Sequence, residues 1–137
     1  MAVISELIRV ESNGTISFGD YSLDAKAKLD NFEVAGDLYK VKTFKEITKL
    51  ERNGLFVYES VPGTVVTGFK QTEDTVEFTV EGAEDAQITL ELAEETEYEI
   101  SIDGASAGVM KTNLGGKLSV SVELGGTSSV AVKVAKQ

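Results

Sequence analysis

The 137-residue chain has no cysteine, no histidine and no tryptophan, and its single proline is Pro62. Without cysteine there are no disulfides, thiolate zinc sites, iron–sulfur clusters or cysteine nucleophiles. Without histidine the commonest general base and the commonest metal ligand are missing, and most hydrolase chemistry goes with them. Positive charge is scarce as well: 13 Lys and Arg stand against 23 Asp and Glu, a formal net charge of -10. That balance repels nucleic acid and anionic lipid surfaces, so neither is expected as a partner. Long apolar runs are also lacking, since no stretch approaches the roughly 18 residues that a spanning helix requires. The opening MAVISELIRVES has neither the basic start nor the apolar stretch of a signal peptide, so the expected location is cytoplasmic.

What is present is alternation. Apolar residues make up 42% of the chain, enough for a real core, and they recur with period two rather than 3.6. Val76-Phe78-Val80, Ile88-Leu90-Leu92, Tyr98-Ile100-Ile102, Leu118-Val120-Val122-Leu124 and Val130-Val132-Val134 are each interleaved with polar or small residues. That pattern gives strands with one core face and one wet face. Turns are expected at Gly82 to Asp85, Glu94-Glu95, Asp103-Gly104, Asn113 to Gly116 and Gly125-Gly126. Leu55-Phe56-Val57-Tyr58 puts apolar residues at consecutive positions, which predicts a strand covered on both faces. Asn13-Gly14 and Asn53-Gly54 predict hairpins, because a type I′ turn needs positive φ at both central residues. Their surroundings align at an offset of 40 residues, consistent with two related hairpins or with a pattern that any two hairpins share. Ser22 to Asn31, the one stretch with a helical composition, is expected to be a strand or an irregular turn.

The predicted fold is all-β: an N-terminal β-meander or small barrel over residues 1–68, packed with a C-terminal β-sandwich over residues 69–137 that resembles immunoglobulin-like modules. Pro62-Gly63 and Gly68 punctuate the chain near the division. Charge follows it too, with 9 bases and 10 acids in residues 1–70 against 4 bases and 13 acids in residues 71–137. Between Glu73 and Asp103 there are twelve acids and no base. Glu77, Glu91, Glu97 and Glu99 take outward positions in the strand pattern, a candidate acidic docking face for a basic protein partner or a solvated face that discourages aggregation.

Catalytic motifs are absent in any workable context. Gly104-Ala105-Ser106-Ala107-Gly108 spells a nucleophile elbow, but β patterns flank it on both sides and the chain has no histidine to accept the serine proton. Leu114-Gly115-Gly116-Lys117-Leu118-Ser119 is expected to be a hairpin loop rather than a phosphate site, because no helix follows the glycines. No catalytic, cofactor-binding or metal-ligating residues are assigned, and no cofactor is expected.

Thr15-Ile16-Ser17-Phe18-Gly19-Asp20-Tyr21, the run from Asp37 to Glu46, and Phe56-Val57-Tyr58-Glu59-Ser60-Val61-Pro62-Gly63 resemble a family of small proteins from gut Firmicutes. Members of that family carry the label endosialidase or endosialidase-like, and the similarity extends through Lys111-Thr112-Asn113-Leu114-Gly115-Gly116-Lys117. The resemblance implies a sialidase-like system. Hydrolysis of that kind grips the sialic acid carboxylate with an arginine cluster, whereas this chain has two arginines, Arg9 and Arg52.

The function expected from these readings is a non-enzymatic structural or protein-interaction module that works through a basic partner or self-association. The alternatives are a carbohydrate-binding accessory module of a sialidase-like system and a glycoside hydrolase using carboxylates alone. Clustered exposed tyrosines would favour the first alternative, and two inward-facing acids in an apolar cleft the second.

Overall fold

The computed structural model describes residues 3–125 and 129–137. Among them are thirteen strands and no helix: β1 (Ile8–Val10), β2 (Ile16–Phe18), β3 (Ala27–Val34), β4 (Asp37–Phe44), β5 (Ile47–Arg52), β6 (Leu55–Val61), β7 (Val65–Gln71), β8 (Thr75–Glu81), β9 (Ala86–Glu91), β10 (Glu97–Ile102), β11 (Ala105–Lys111), β12 (Lys117–Val122) and β13 (Val130–Lys136). All pairings are antiparallel. They build a seven-stranded sheet in the order β1-β2-β7-β8-β13-β10-β11 and a six-stranded sheet in the order β12-β9-β6-β5-β4-β3. The fold is therefore all-β and sandwich-like, and neither sheet closes into a barrel.

Alternation decides which side chains go inside. Along β8, Val76, Phe78 and Val80 are buried while Glu77 is exposed, and β13 buries Val130, Val132 and Val134 while exposing Ala131 and Lys133. One continuous core draws on both sheets, with Phe18, Phe69, Phe78 and Ile100 from the first and Val41, Leu50, Tyr58 and Leu90 from the second. Each such side chain contributes about 1.5–3 kcal/mol through its removal from water. The position 68/69, where charge and punctuation suggested a division, lies inside β7, and both sheets contain strands from either side of it. Within the first segment, β3 to β6 form a meander.

The local expectations fare differently. Ser22 to Asn31 runs through turns into β3, with no helix. Asn53-Gly54 forms the expected turn, with φ of 52° and 79°, and Arg52 pairs with Leu55 across it. Asn13-Gly14 does not: only Gly14 has positive φ, and its N–H donates to the Glu11 carbonyl at 2.9 Å while Glu11 N–H donates to the Thr15 carbonyl. The Asn13 side-chain oxygen accepts from the Thr15 N–H and hydroxyl, which favours this three-residue loop over the two-residue one. The run Leu55 to Tyr58 is not covered on both faces. Leu50 pairs with Tyr58 and Glu51 with Phe56, so Val57 is the extra residue of a bulge, and Leu55 is 66% exposed. The glycines at 115 and 116 do not close a hairpin either, because β11 and β12 belong to different sheets. Of the expected Gly125-Gly126 turn, Gly126 lies outside the described residues.

Tyr58 joins the core to a buried polar cluster. Its ring is fully buried and makes edge contacts with Phe18, Phe69 and Phe78 at centroid distances of 5.3, 6.4 and 5.6 Å. Its hydroxyl shares a 2.8 Å hydrogen bond with the Thr64 hydroxyl, which also meets Ser60 at 2.8 Å. Thr48 donates to the Thr64 carbonyl at 2.8 Å and accepts from the Thr64 N–H at 3.0 Å, and its hydroxyl also meets that of Thr43. Thr43 in turn accepts from the Asp20 N–H at 2.9 Å. The chain reaches Thr64 through Gly63, where a Cβ would lie 2.0 Å from the Phe44 carbonyl oxygen, so glycine alone permits that approach.

Two stability outcomes follow. Tyr58→Phe leaves Thr64 bonded to Ser60 and is expected to cost about 1 kcal/mol, whereas Thr64→Val strands two buried hydroxyls and is expected to cost about 2–4 kcal/mol. Urea midpoints with an unchanged slope would test that order, and equal costs would refute it. Ala35, which holds φ of 51° beside Gly36 in the turn from β3 to β4, pays the left-handed penalty of an L-residue. Ala35→Asn is expected to raise stability by about 0.5–1 kcal/mol in the same measurement.

Candidate functional site

The four outward glutamates do not share one face. Glu77 on β8 and Glu97 and Glu99 on β10 lie on the outer face of the seven-stranded sheet, while Glu91 on β9 lies on the outer face of the other sheet. Most face lysines. Glu77 is opposite Lys70 on one side and Lys133 on the other, Glu97 is opposite Lys111, and Glu91 forms an ion pair with Lys117 at 3.4 Å. Glu99 accepts a 2.9 Å hydrogen bond from Ser106. A shallow groove of about 500 Å³ runs beside Glu77 and Lys133 over Gly68 and Ala131. This outer face alternates in sign, because bases remote in sequence are brought beside the acids by strand pairing.

The remaining candidates are distributed as follows. Gly104 follows Asp103 in a tight turn with φ of 85° and 52°, and Ser106 lies on β11 with no helix after it. All four tyrosines, Tyr21, Tyr39, Tyr58 and Tyr98, are buried, so they offer no stacking platform. Burial pushes the Tyr58 phenol well above its ordinary pKa. Among the described residues Asp20 is the one buried carboxylate, and it accepts from the Ser22 N–H and hydroxyl. No group of three or more acidic side chains among them is placed to hold a metal ion. At one mouth of the sandwich a cavity of about 290 Å³ is bordered by Arg52, Phe56, Gln71, Glu73, Asp74, Glu91 and Tyr98. The Gln71 side-chain oxygen is buried there without a hydrogen-bond partner, and Tyr98 accepts from the Ala93 N–H at 3.1 Å.

The outer face of β3, β4 and β5 carries a constellation that the sequence analysis missed. Lys28 pairs with Lys42, and Lys42 with Lys49, so three lysines stand in one row across three strands. Neighbouring strands lie about 4.8 Å apart, which makes this a directly opposed like-charge arrangement of the kind that destabilises a sheet. Lys26 flanks the row with its ammonium 5.8 Å from the Phe44 ring centre, and Lys40 stands one outward position along β4. Phe56 lies beneath two cations, Lys117 at 4.7 Å and Lys49 at 5.7 Å. The acids nearby are few: Glu51, 3.5 Å from Lys49, then Glu59 opposite Lys49 on β6, and Asp30, exposed on β3. Lys28, Lys40 and Lys42 have no carboxylate within ion-pair distance among the described residues. The available signal was Lys26/Lys28 and Lys40/Lys42, two pairs at the spacing that puts both members on one strand face.

Compared with protein-family models, curated proteins and solved structures, the chain matches none.

Partial burial, and then the charges of Lys26, Lys28, Lys49 and Lys40, hold the Lys42 ammonium below the ordinary lysine value. Below that depressed pKa the folded and unfolded chains both carry the proton and the penalty is fully present. As pH rises toward the ordinary value of 10.5, the folded state releases the proton first and gains stability relative to the unfolded chain. Lys42→Gln is therefore expected to be the more stable protein near neutral pH and low salt, with its lead shrinking as pH approaches that value. Urea midpoints of the two proteins across the range would test this, and a pH-independent difference would contradict it.

Proposed function

We propose that the protein is a non-enzymatic structural or protein-interaction module that associates through an exposed sheet edge. The observation that carries this reading is β11. All seven of its residues are exposed, Val109 is 51% and Met110 38% accessible, and none of the seven is charged before Lys111. It pairs with β10 on one side and ends the sheet on the other. Two other edges are better defended, since β1 is three residues long and β3 displays Lys28, Asp30 and Glu33, while the fourth edge, β12, keeps Leu118 and Val122 buried. The bulge at Ala107, with Gly108 at φ of 109°, bends β11 without adding charge to it.

Edge addition supplies main-chain hydrogen bonds as affinity and alternate side chains as specificity. The partner that suits a neutral strand is a second copy of itself, paired antiparallel about Gly108, so that Lys111 of one copy lies across from Ala105 of the other. An isologous contact of this kind closes as a dimer. The four buried tyrosines and the lone buried Asp20 favour this reading over a sugar platform or a carboxylate hydrolase. It rests on the edge strand and not on the immunoglobulin-like or endosialidase-like resemblance. A cysteine-free chain suits the reducing cytoplasm proposed as its location.

Light scattering over a wide concentration range is expected to show a monomer–dimer equilibrium. Val109→Lys and Met110→Lys should shift it to monomer while changing stability by no more than about 0.5 kcal/mol, as exposed positions allow. A wild-type chain that stays monomeric at every concentration, or variants that dimerise equally well, would refute the proposal.

A further inference from the structure

We infer that the lysine row on the six-stranded sheet is a binding site for a compact, multiply charged oxyanion, a ligand bearing clustered phosphoryl or sulfo groups. In a protein with ten more acids than bases, three lysines opposed across three strands are an expensive arrangement for a surface that needs only solvation. The other outer face shows the inexpensive arrangement, Lys70–Glu77–Lys133 in alternation. On β9 and β12 the same solution recurs as the Lys117–Glu91 pair.

The geometry has a centre. Lys40, Lys42, Lys49 and Glu51 rim a small depression of about 30 Å³, room for one water or one ligand oxygen. Lys40, Lys42 and Lys49 line it together with Glu51, which stands opposite Lys40 in the register and is engaged by Lys49 at 3.5 Å. Lys28 extends the positive row by one strand beyond Lys42, and Lys26 lies beside it over Phe44. A ligand with one oxyanion group seated in the depression and others beside it would draw on Lys28, the register neighbour of Lys42. The neighbouring lysine charges that crowd Lys42 become attraction once such a ligand is bound. Compactness follows from the surroundings: Asp30, Glu51 and Glu59 border the row, and the net charge of -10 opposes a long polyanion that must run past them.

Titration calorimetry of the full chain with inorganic tripolyphosphate and with a sulfated tetrasaccharide tests the site. At least one is expected to bind at low salt and to raise the thermal midpoint, and the tighter of the two identifies the phosphoryl or the sulfo source. Lys42→Gln should weaken binding about tenfold, the loss of one charge-assisted contact. Combining Lys28→Gln, Lys42→Gln and Lys49→Gln should abolish it, while Lys136→Gln on the other sheet should leave it unchanged. The triple variant relieves repulsion, so its unliganded midpoint at low salt is expected to equal or exceed that of the wild type. No binding of either probe, equal binding by the triple variant, or binding of an oligoglutamate peptide in preference to both probes would overturn the inference.

Discussion

The hydroxyl of Tyr58 sits at the point where the apolar and polar interiors meet, and much of the architecture is arranged so that it can be both buried and bonded. The ring occupies the middle of the sandwich against Phe18, Phe69 and Phe78, three side chains of the opposite sheet. A phenol at that depth has no water, so its partner must be supplied by the chain, and Thr64 supplies it. Thr64 is in turn held by Thr48 and Ser60, and Thr48 by Thr43, so β4, β5, β6 and the crossing into β7 are tied at one node. Gly63 and Gly19 permit that crowding: a Cβ at Gly19 would lie 2.5 Å from the Thr64 carbonyl oxygen. The inter-sheet packing and this polar node are therefore one constraint.

The negative charge of the second half of the chain is distributed by topology rather than by strand face. Glu73, Asp74, Glu84, Asp85, Glu94, Glu95 and Asp103 fall in the connections between strands, so a large share of the acidity lies at the ends of the sandwich. Within strands, Glu77, Glu91 and Glu97 meet lysines from other strands. Among the described residues, Lys28, Lys40 and Lys42 of the first half form no ion pair on the outer face of β3 and β4. A net charge counted over a segment consequently says little about the sign of any one surface.

Period-two alternation in β8, β9, β10, β12 and β13 was legible residue by residue, because burial on one face of an antiparallel strand leaves that mark on the sequence. Which sheet a strand joins leaves no such mark. Glu77 and Glu91 have the same outward pattern and end on opposite sides of the molecule. The lysine row was hidden for the same reason, since Lys28, Lys42 and Lys49 become neighbours only through the register of β3, β4 and β5. The consecutive apolar residues Leu55 to Tyr58 suggested two covered faces because a bulge breaks period two locally. The two Asn-Gly pairs carry the same letters and take different loops, decided by the hydrogen bonds of the Asn13 side chain.

β13 lies between β8 and β10, although more than twenty residues separate it from either in the chain. A growing polypeptide that has made β8, β9, β10, β11 and β12 thus holds two unsatisfied edges separated by the width of one strand. The seven-stranded sheet remains two fragments until Val130 to Lys136 slide into the gap. Its inward residues Val132 and Val134 then pair on both sides at once, and Val130 pairs with Val80 on β8. Closing that sheet is a long-range pairing, of the kind whose loop-closure entropy slows all-β folding. Until that step, the strand edges most open to mispairing are internal ones that the finished molecule conceals.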